Sequence, residues 1–122
     1  MSAIPYSDDV LDPSVELLQL ADVAKLLGIV VTRVHQMLRD GELVAVRREG
    51  VIGVPASFFT VDGEVVRLLS GLLVVLRDGG YSEEEILRWL FTEDETLPGA
   101  PVDALHTDLA REVVRRAQAM AF

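Results

Sequence analysis

A glycine between two short amphipathic segments is the feature that most constrains how this chain can fold. The segment over residues 20–27 has apolar residues at helical spacing, and Gly28 follows where a helix C-terminus often adopts the left-handed conformation. The apolar stripe of this first segment comprises Val23, Leu26 and Leu27. The stripe of the second segment comprises Val31, Val34 and Leu38. The spacing predicts two short helices joined by a tight turn, a geometry that can place the second helix in the major groove of DNA.

The polar face of the second predicted helix carries side chains that can read DNA. It comprises Thr32, Arg33, Gln36 and Arg39. Arginine bonds guanine and glutamine bonds adenine through paired hydrogen bonds, while threonine can serve a phosphate or a base edge. The same residue types are equally typical of any solvent-exposed helix face. This pattern by itself therefore leaves a DNA reader and an ordinary surface helix open.

The segment that follows predicts a basic β-hairpin. Asp40-Gly41 ends the second helix, and Glu49-Gly50 forms a turn between two β-prone runs. The runs comprise Leu43, Val44 and Val46 before the turn, and Val51, Ile52 and Val54 after it, with Pro55 as the stop. Arg47 and Arg48 adjoin the hairpin tip, from which they would reach phosphates or the adjacent minor groove. This order of elements is that of a winged helix-turn-helix.

The run LADVAKLLGIVVTRVHQMLRDGELVAVRR resembles the helix-turn-helix of MerR-type and excisionase-type DNA-binding domains. Two further runs, GLLVVLRDGGYSEEEILRWLF and PVDALHTDLAREVVRRAQAMAF, make nearly the whole chain similar to a small family of actinobacterial DNA-binding proteins. That resemblance implies a winged helix-turn-helix, a helical C-terminal domain and a regulatory role on double-stranded DNA. For some members it also implies a link to serine/threonine kinase signalling through a flexible N-terminal tail.

The first residues of the chain have the composition of such a tail. Residues 1–15 contain Ser2, Ser7 and Ser14 among proline and aspartate residues, which predicts disorder and access for a protein kinase. Ser7 is the candidate phosphorylation site, where added negative charge would repel DNA. The chain has no threonine before Thr32, so a threonine site cannot be carried over from the family.

Net charge opposes DNA binding, but its distribution favours the predicted reading domain. The chain carries a charge of −9, which disfavours approach to a polyanion. Residues 1–20 and 81–100 hold most of the excess acid, whereas residues 21–60 carry five basic and four acidic side chains. Because the reading domain is only weakly positive, we expect a low nonspecific affinity for DNA.

The second half of the chain predicts a helical bundle. Ser82 with Glu85 matches a capping box, and Pro101 can open a later helix as its first residue. Off the apolar stripe of the closing helix lie Arg111, Arg115 and Arg116. A solvated face explains them better than a second phosphate-binding patch. The Pro-x-x-x-Leu turn before an Ala- and Arg-rich helix also resembles the toxin-binding ends of certain antitoxins, so a protein-interaction adaptor is the alternative function.

Catalytic chemistry has little support in the sequence. The two histidines, His35 and His106, lack a carboxylate or histidine three or four residues further on, and no Walker, GxSxG or GxGxxG pattern is present. The chain has no cysteines, which excludes disulfides and thiolate zinc sites. We therefore expect neither enzymatic activity nor a cofactor. The N-terminus lacks the basic start and apolar core of a signal peptide, so we expect a cytoplasmic protein without a membrane partner.

These patterns predict a mainly α protein with a small β-wing, in which a winged helix-turn-helix is followed by a C-terminal helical bundle. The predicted divisions are a flexible tail over residues 1–15, the DNA-binding domain over 16–60 and the helical domain over 61–122. The predicted function is sequence-specific DNA binding in transcriptional regulation. In that function Thr32, Arg33 and Gln36 would read bases, Arg39 would hold a phosphate, and Arg47 and Arg48 would clamp the backbone or the minor groove.

Overall fold

The computed structural model describes residues 3–122, which form four short strands and six helices. The strands are β1 (Ser7–Asp8), β2 (Leu17–Gln19), β3 (Val46–Arg48) and β4 (Val51–Pro55). The helices are α1 (Leu20–Leu27), α2 (Val31–Arg39), α3 (Leu69–Asp78), α4 (Glu83–Phe91), α5 (Pro101–Ala104) and α6 (Ala110–Ala121). The predicted fold class, mainly α with a β-wing, is confirmed.

The helix-turn-helix consists of α1, the turn and α2. Gly28 has a φ of 70°, and its N–H donates to the carbonyl oxygen of Lys25 at 3.2 Å, which ends α1 as the sequence predicts. The buried face of α2 comprises Val34, Met37 and Leu38. Val31 was predicted in that stripe, but 38% of its surface is exposed. The start of α2 is therefore less covered than the rest of the helix. Val30, the residue before it, is 69% exposed.

A four-stranded sheet supports the wing. β3 and β4 form the predicted antiparallel hairpin, in which Arg47 pairs with Ile52. At the tip, Glu49 and Gly50 both have positive φ values, 51° and 79°, as the tight hairpin turn requires. β2 adds to the free edge of β4 and β1 adds to the free edge of β3 in parallel, so the strand order is β1-β3-β4-β2.

The N-terminal segment is not the flexible tail that its composition predicts. The backbone N–H of Ser7 donates to the carbonyl oxygen of Ala45 at 2.9 Å, and Leu11 is part of the hydrophobic core with 8% of its surface exposed. Asp9 forms an ion pair with Arg48 on the wing. The expectation of flexibility over residues 1–15 is therefore wrong for residues 7–15, because strand pairing, core contacts and an ion pair hold them in place.

One core joins the two predicted halves of the chain. Phe58 is fully buried in a short 3₁₀ turn (Ala56–Phe58), and its ring centroid lies 6.0 Å from that of Phe91 on α4. The same turn contacts α5, and β1 contacts α4. His106 Nε2 also lies 2.6 Å from the carbonyl oxygen of Ser57, within hydrogen-bond distance. The core is thus continuous across the predicted boundary between residues 60 and 61.

The helical bundle follows the predicted start signals. Ser82 and Glu85 form the capping box, with the N–H of Ser82 donating to Glu85 Oε1 at 2.9 Å and the N–H of Glu85 donating to Ser82 Oγ at 3.2 Å. Pro101 opens α5. The chain then breaks before α6, where the hydroxyl of Thr107 donates to the carbonyl oxygen of Ala104 at 2.7 Å. After this break α6 packs against α3. Across residues 3–122 no helix has the length and apolar content needed to cross a membrane.

Candidate nucleic-acid interface

The face of α2 opposite the core presents the four predicted polar residues to solvent. Thr32, Arg33, Gln36 and Arg39 are exposed. They are exposed because the buried positions Val34, Met37 and Leu38 recur at helical spacing and turn the remaining side chains outward. The first turn of α2 contains no acidic residue. The exposed face is therefore a surface of hydrogen-bond donors and small polar groups with nothing acidic at its leading end.

Arg33 is held only loosely on this face. Its side chain is 51% exposed, and its nearest carboxylate, Glu42, lies 4.0 Å from Arg33 Nη2. An exposed pair at that distance contributes little to stability, about 0–1 kcal/mol. The guanidinium can therefore leave Glu42 for a base edge at small cost.

Gln36 and Arg39 differ in how they are held. Gln36 Nε2 donates to Asp40 Oδ1 at 2.7 Å, one turn further along the helix. Any new partner of the Gln36 amide N–H would have to replace that bond. Arg39 lies in the last turn of α2, where the helix dipole favours a positive charge. It forms no ion pair with any residue in the described part of the chain, which leaves its charge for a phosphate.

On the wing, the Arg47 side chain is exposed, and its contact with Tyr6 fixes its orientation. Its guanidinium carbon lies 5.8 Å from the centroid of the Tyr6 ring, and its Nη1 lies 3.4 Å from the Tyr6 hydroxyl oxygen. An exposed cation–π contact of this kind contributes about 0.5–1 kcal/mol. It orients the side chain without neutralising the charge, so Arg47 remains able to bind a phosphate.

Arg48, which the sequence predicts to clamp DNA, is bonded to the N-terminal segment in the structure. Arg48 Nε donates to Asp9 Oδ2 at 2.6 Å, and Arg48 Nη1 donates to the carbonyl oxygen of Val15 at 2.8 Å. Only 25% of the Arg48 side chain is exposed. Its guanidinium therefore holds the N-terminal segment, and it is less free than Arg47 to contact DNA. No local pattern predicts this pair, because Asp9 lies 39 residues away in a segment whose composition is typical of disorder.

The Asp9–Arg48 pair makes the anchoring of the N-terminal segment depend on pH. The hydrogen bond from Arg48 holds the pKa of Asp9 below its usual value. A carboxylate with a lowered folded-state pKa stabilises the fold fully above its unfolded pKa, about 3.9, and loses that contribution as the pH falls through the folded value. The segment should therefore be anchored at neutral pH and released in acid.

We expect Asp9→Asn to release residues 7–12 partly at neutral pH, as the wild type does only once the pH falls through the lowered pKa of Asp9. The measurement is a series of amide NMR spectra in which the signals of these residues move toward disordered positions. Asp8→Asn is the matched control, since Asp8 is exposed and adjacent but is not the partner of Arg48. Native signals in Asp9→Asn at neutral pH would contradict the anchoring role.

Ser7, the candidate phosphorylation site, lies inside the sheet. Only 6% of its surface is exposed, and its Oγ lies 3.4 Å from the carbonyl oxygen of Ala45. The expectation that Ser7 is open to a kinase is therefore wrong for the folded chain, since modification requires β1 to leave β3. Ser14 is exposed, and Ser2 lies outside the described residues.

Two of the three arginines that the sequence analysis singles out on α6 are paired with acidic residues. Glu112 accepts hydrogen bonds from Arg115 at 2.6 Å and Arg116 at 2.9 Å, as expected of a solvated helix face. Arg116 also pairs with Asp94 at 3.3 Å. Within residues 3–122 no group of three His, Asp or Glu side chains is placed to hold a metal ion.

Both halves of the chain match profiles of one family of known proteins. Residues 3–59 match the family profile described as "DNA-binding protein Rv2175c, wHTH domain", and residues 66–121 match "Rv2175c C-terminal domain of unknown function". The DNA-binding protein Rv2175c of Mycobacterium tuberculosis is 52% identical over 134 aligned residues, which cover 100% of this chain and 92% of the relative. The NMR structure of Rv2175c superposes with a TM-score of 0.88 at 53% identity, covering 99% of this chain and 91% of that one. These profiles support the winged helix-turn-helix but do not extend to the narrower resemblance to MerR and excisionase domains.

Proposed function

The chain belongs to the family of the DNA-binding protein Rv2175c, and from this premise we propose that it binds double-stranded DNA sequence-specifically through α2 and the wing. The family is one of DNA-binding proteins and not of enzymes. The observation that carries the proposal is the exposed face of α2, on which Arg33 is held only by a 4.0 Å contact with Glu42. A helix held by the core on one side and free on the other can enter the major groove.

The proposed contacts divide into base readers and phosphate binders. Thr32, Arg33 and Gln36 contact base edges, because they lie in the first two turns of α2. Arg39 and Arg47 bind phosphates and set the register of the protein on the duplex. Arg48 makes no direct contact with DNA in this proposal, and it supports Arg47 by holding the N-terminal segment that carries Tyr6.

We further propose that the protein regulates transcription by occupying promoter DNA. The overall charge of −9 makes the electrostatic, sequence-independent part of the affinity small. Selectivity must then come mainly from the base contacts of α2. The alternative, an antitoxin-like adaptor, is disfavoured because Val113 and Ala117 on the apolar face of α6 are buried in the protein's own core. That face is not available to a partner.

The test is a selection of preferred duplexes from a random pool, followed by affinity measurements on the preferred duplex and a shuffled one. We expect a preference of roughly a thousandfold or more at physiological salt. A reporter gene placed behind the preferred duplex tests the regulatory role. Equal affinity for the preferred and shuffled duplexes would remove the proposal.

The two wing arginines should differ in how they affect salt dependence. Arg47→Ala should lower the slope of log affinity against log salt by about one, since one phosphate contact is lost. Arg48→Ala should leave the slope nearly unchanged, because Asp9 already neutralises that charge. The measurement is a salt titration of each variant on the same duplex. A lower slope for Arg48→Ala with an unchanged slope for Arg47→Ala would reverse the assignment.

A further inference from the structure

Two exposed valines begin the recognition helix. Val30 is the N-cap residue of α2 with 69% of its surface exposed, and Val31 is the first helical residue with 38% exposed. Ser, Thr, Asp and Asn are preferred at an N-cap because their side-chain oxygens accept hydrogen bonds from the free N–H groups of the first turn. Val30 makes no such bond. At α4, by contrast, Ser82 supplies such a bond to the N–H of Glu85.

These exposed valines lie next to the proposed base-reading residues of α2. In helix-turn-helix proteins the N-terminal residues of the recognition helix contact base edges in the major groove. Val30 and Val31 immediately precede Thr32 and Arg33 on α2. The apolar group that bases present in the major groove is the 5-methyl group of thymine. An exposed valine at this place can cover that methyl group, whereas a serine would present a hydroxyl to it.

We propose that Val30, with Val31 beside it, reads the 5-methyl group of thymine next to the bases contacted by Thr32 and Arg33. The inference rests on the proposed DNA binding and adds a base identity to it. This contact also explains why two solvent-exposed valines lie at the start of α2. The side chains lose water only when the protein is on its site, so their contribution belongs to the specific complex.

The expected size of the effect follows from the buried apolar surface. Covering one methyl group changes the affinity by about fourfold. Removing the thymine methyl and removing the valine should each produce this loss, and the two losses should not add. Replacing Val30 by serine should also raise the melting temperature, because serine supplies the missing cap. Weaker specific binding by a more stable protein cannot be attributed to misfolding.

The experiment uses the preferred duplex obtained by selection. Each thymine in turn is replaced by deoxyuridine, which removes only the methyl group, and the affinity is measured for the wild type, Val30→Ser and Val31→Ala. We expect the wild type to lose about fourfold at one or two thymines, and Val30→Ser to be insensitive there. The matched control is Val74→Ser on α3, which changes a valine that is 50% exposed outside the helix-turn-helix. This control should retain the methyl dependence.

The outcomes separate this inference from the proposed function. Methyl dependence that persists in Val30→Ser overturns the inference. A preferred duplex without any methyl-dependent thymine also overturns it, and in both cases sequence-specific binding stands. Absence of any sequence preference in the wild type would instead remove the proposed function together with the inference.

Discussion

Replacing Phe58 by alanine is expected to destabilise the whole chain by about 3 to 5 kcal/mol. Phe58 is fully buried, and its ring packs against that of Phe91 on α4, so its removal leaves a cavity between the wing and the helical bundle. A domain of this size has a total stability of roughly 5 to 15 kcal/mol. The variant should therefore retain only a fraction of its stability, and both halves should unfold together.

Denaturant unfolding with two probes checks this prediction. The single tryptophan, Trp89, reports on the helical bundle by fluorescence, and amide NMR signals of β3 and β4 report on the wing. Both transitions should shift to the same lower midpoint. Phe122→Ala is the matched control, since Phe122 is 93% exposed and its loss should change stability by less than about 0.5 kcal/mol. A bundle that unfolds at the wild-type midpoint while the wing is lost would show two independent units.

Replacing Arg33 by alanine is expected to weaken binding to the preferred duplex by about 1 to 3 kcal/mol, while affinity for random DNA changes much less. Only the specific complex contains the paired hydrogen bonds that the guanidinium makes to a base. The stability of the protein should change by less than about 0.5 kcal/mol, because the side chain is 51% exposed and contacts Glu42 only at 4.0 Å.

Affinities on the preferred and shuffled duplexes, with thermal melts of each variant, test the role of Arg33. Arg88→Ala on α4 removes an exposed arginine outside the proposed interface and serves as the control for charge. It should reduce neither the preference nor the melting temperature. Equal losses on the two duplexes for Arg33→Ala would assign this residue to phosphate binding and leave base reading to Gln36 and Thr32.

Local patterns in the sequence were enough to predict the two helices and the hairpin of the reading domain and the start of α4, although not β1 or β2. Gly28 ends α1, Glu49-Gly50 turns the wing, and Ser82 caps α4, because each depends on interactions within a few residues of chain. The exposure of Arg33 and Gln36 follows in the same way from the apolar period of α2. These features are governed by backbone geometry and by which side of a helix faces the core.

The tertiary structure decided the features that depend on distant partners. Arg48 and Asp9 are 39 residues apart, so no local pattern could show that one wing arginine is neutralised while Arg47 remains exposed. The pairing of β1 with β3 buries Ser7 and orders a segment that has the composition of a disordered tail. The apolar period of α2 likewise could not show that Val30 and Val31 extend beyond the core. The sequence thus determined which side chains share a helix face or a turn. Only the packing of distant segments determined which of these side chains remain unpaired and exposed for the proposed contact with DNA. The reason is that their partners lie far away in the chain, where the spacing of residues within one helix or strand does not predict them.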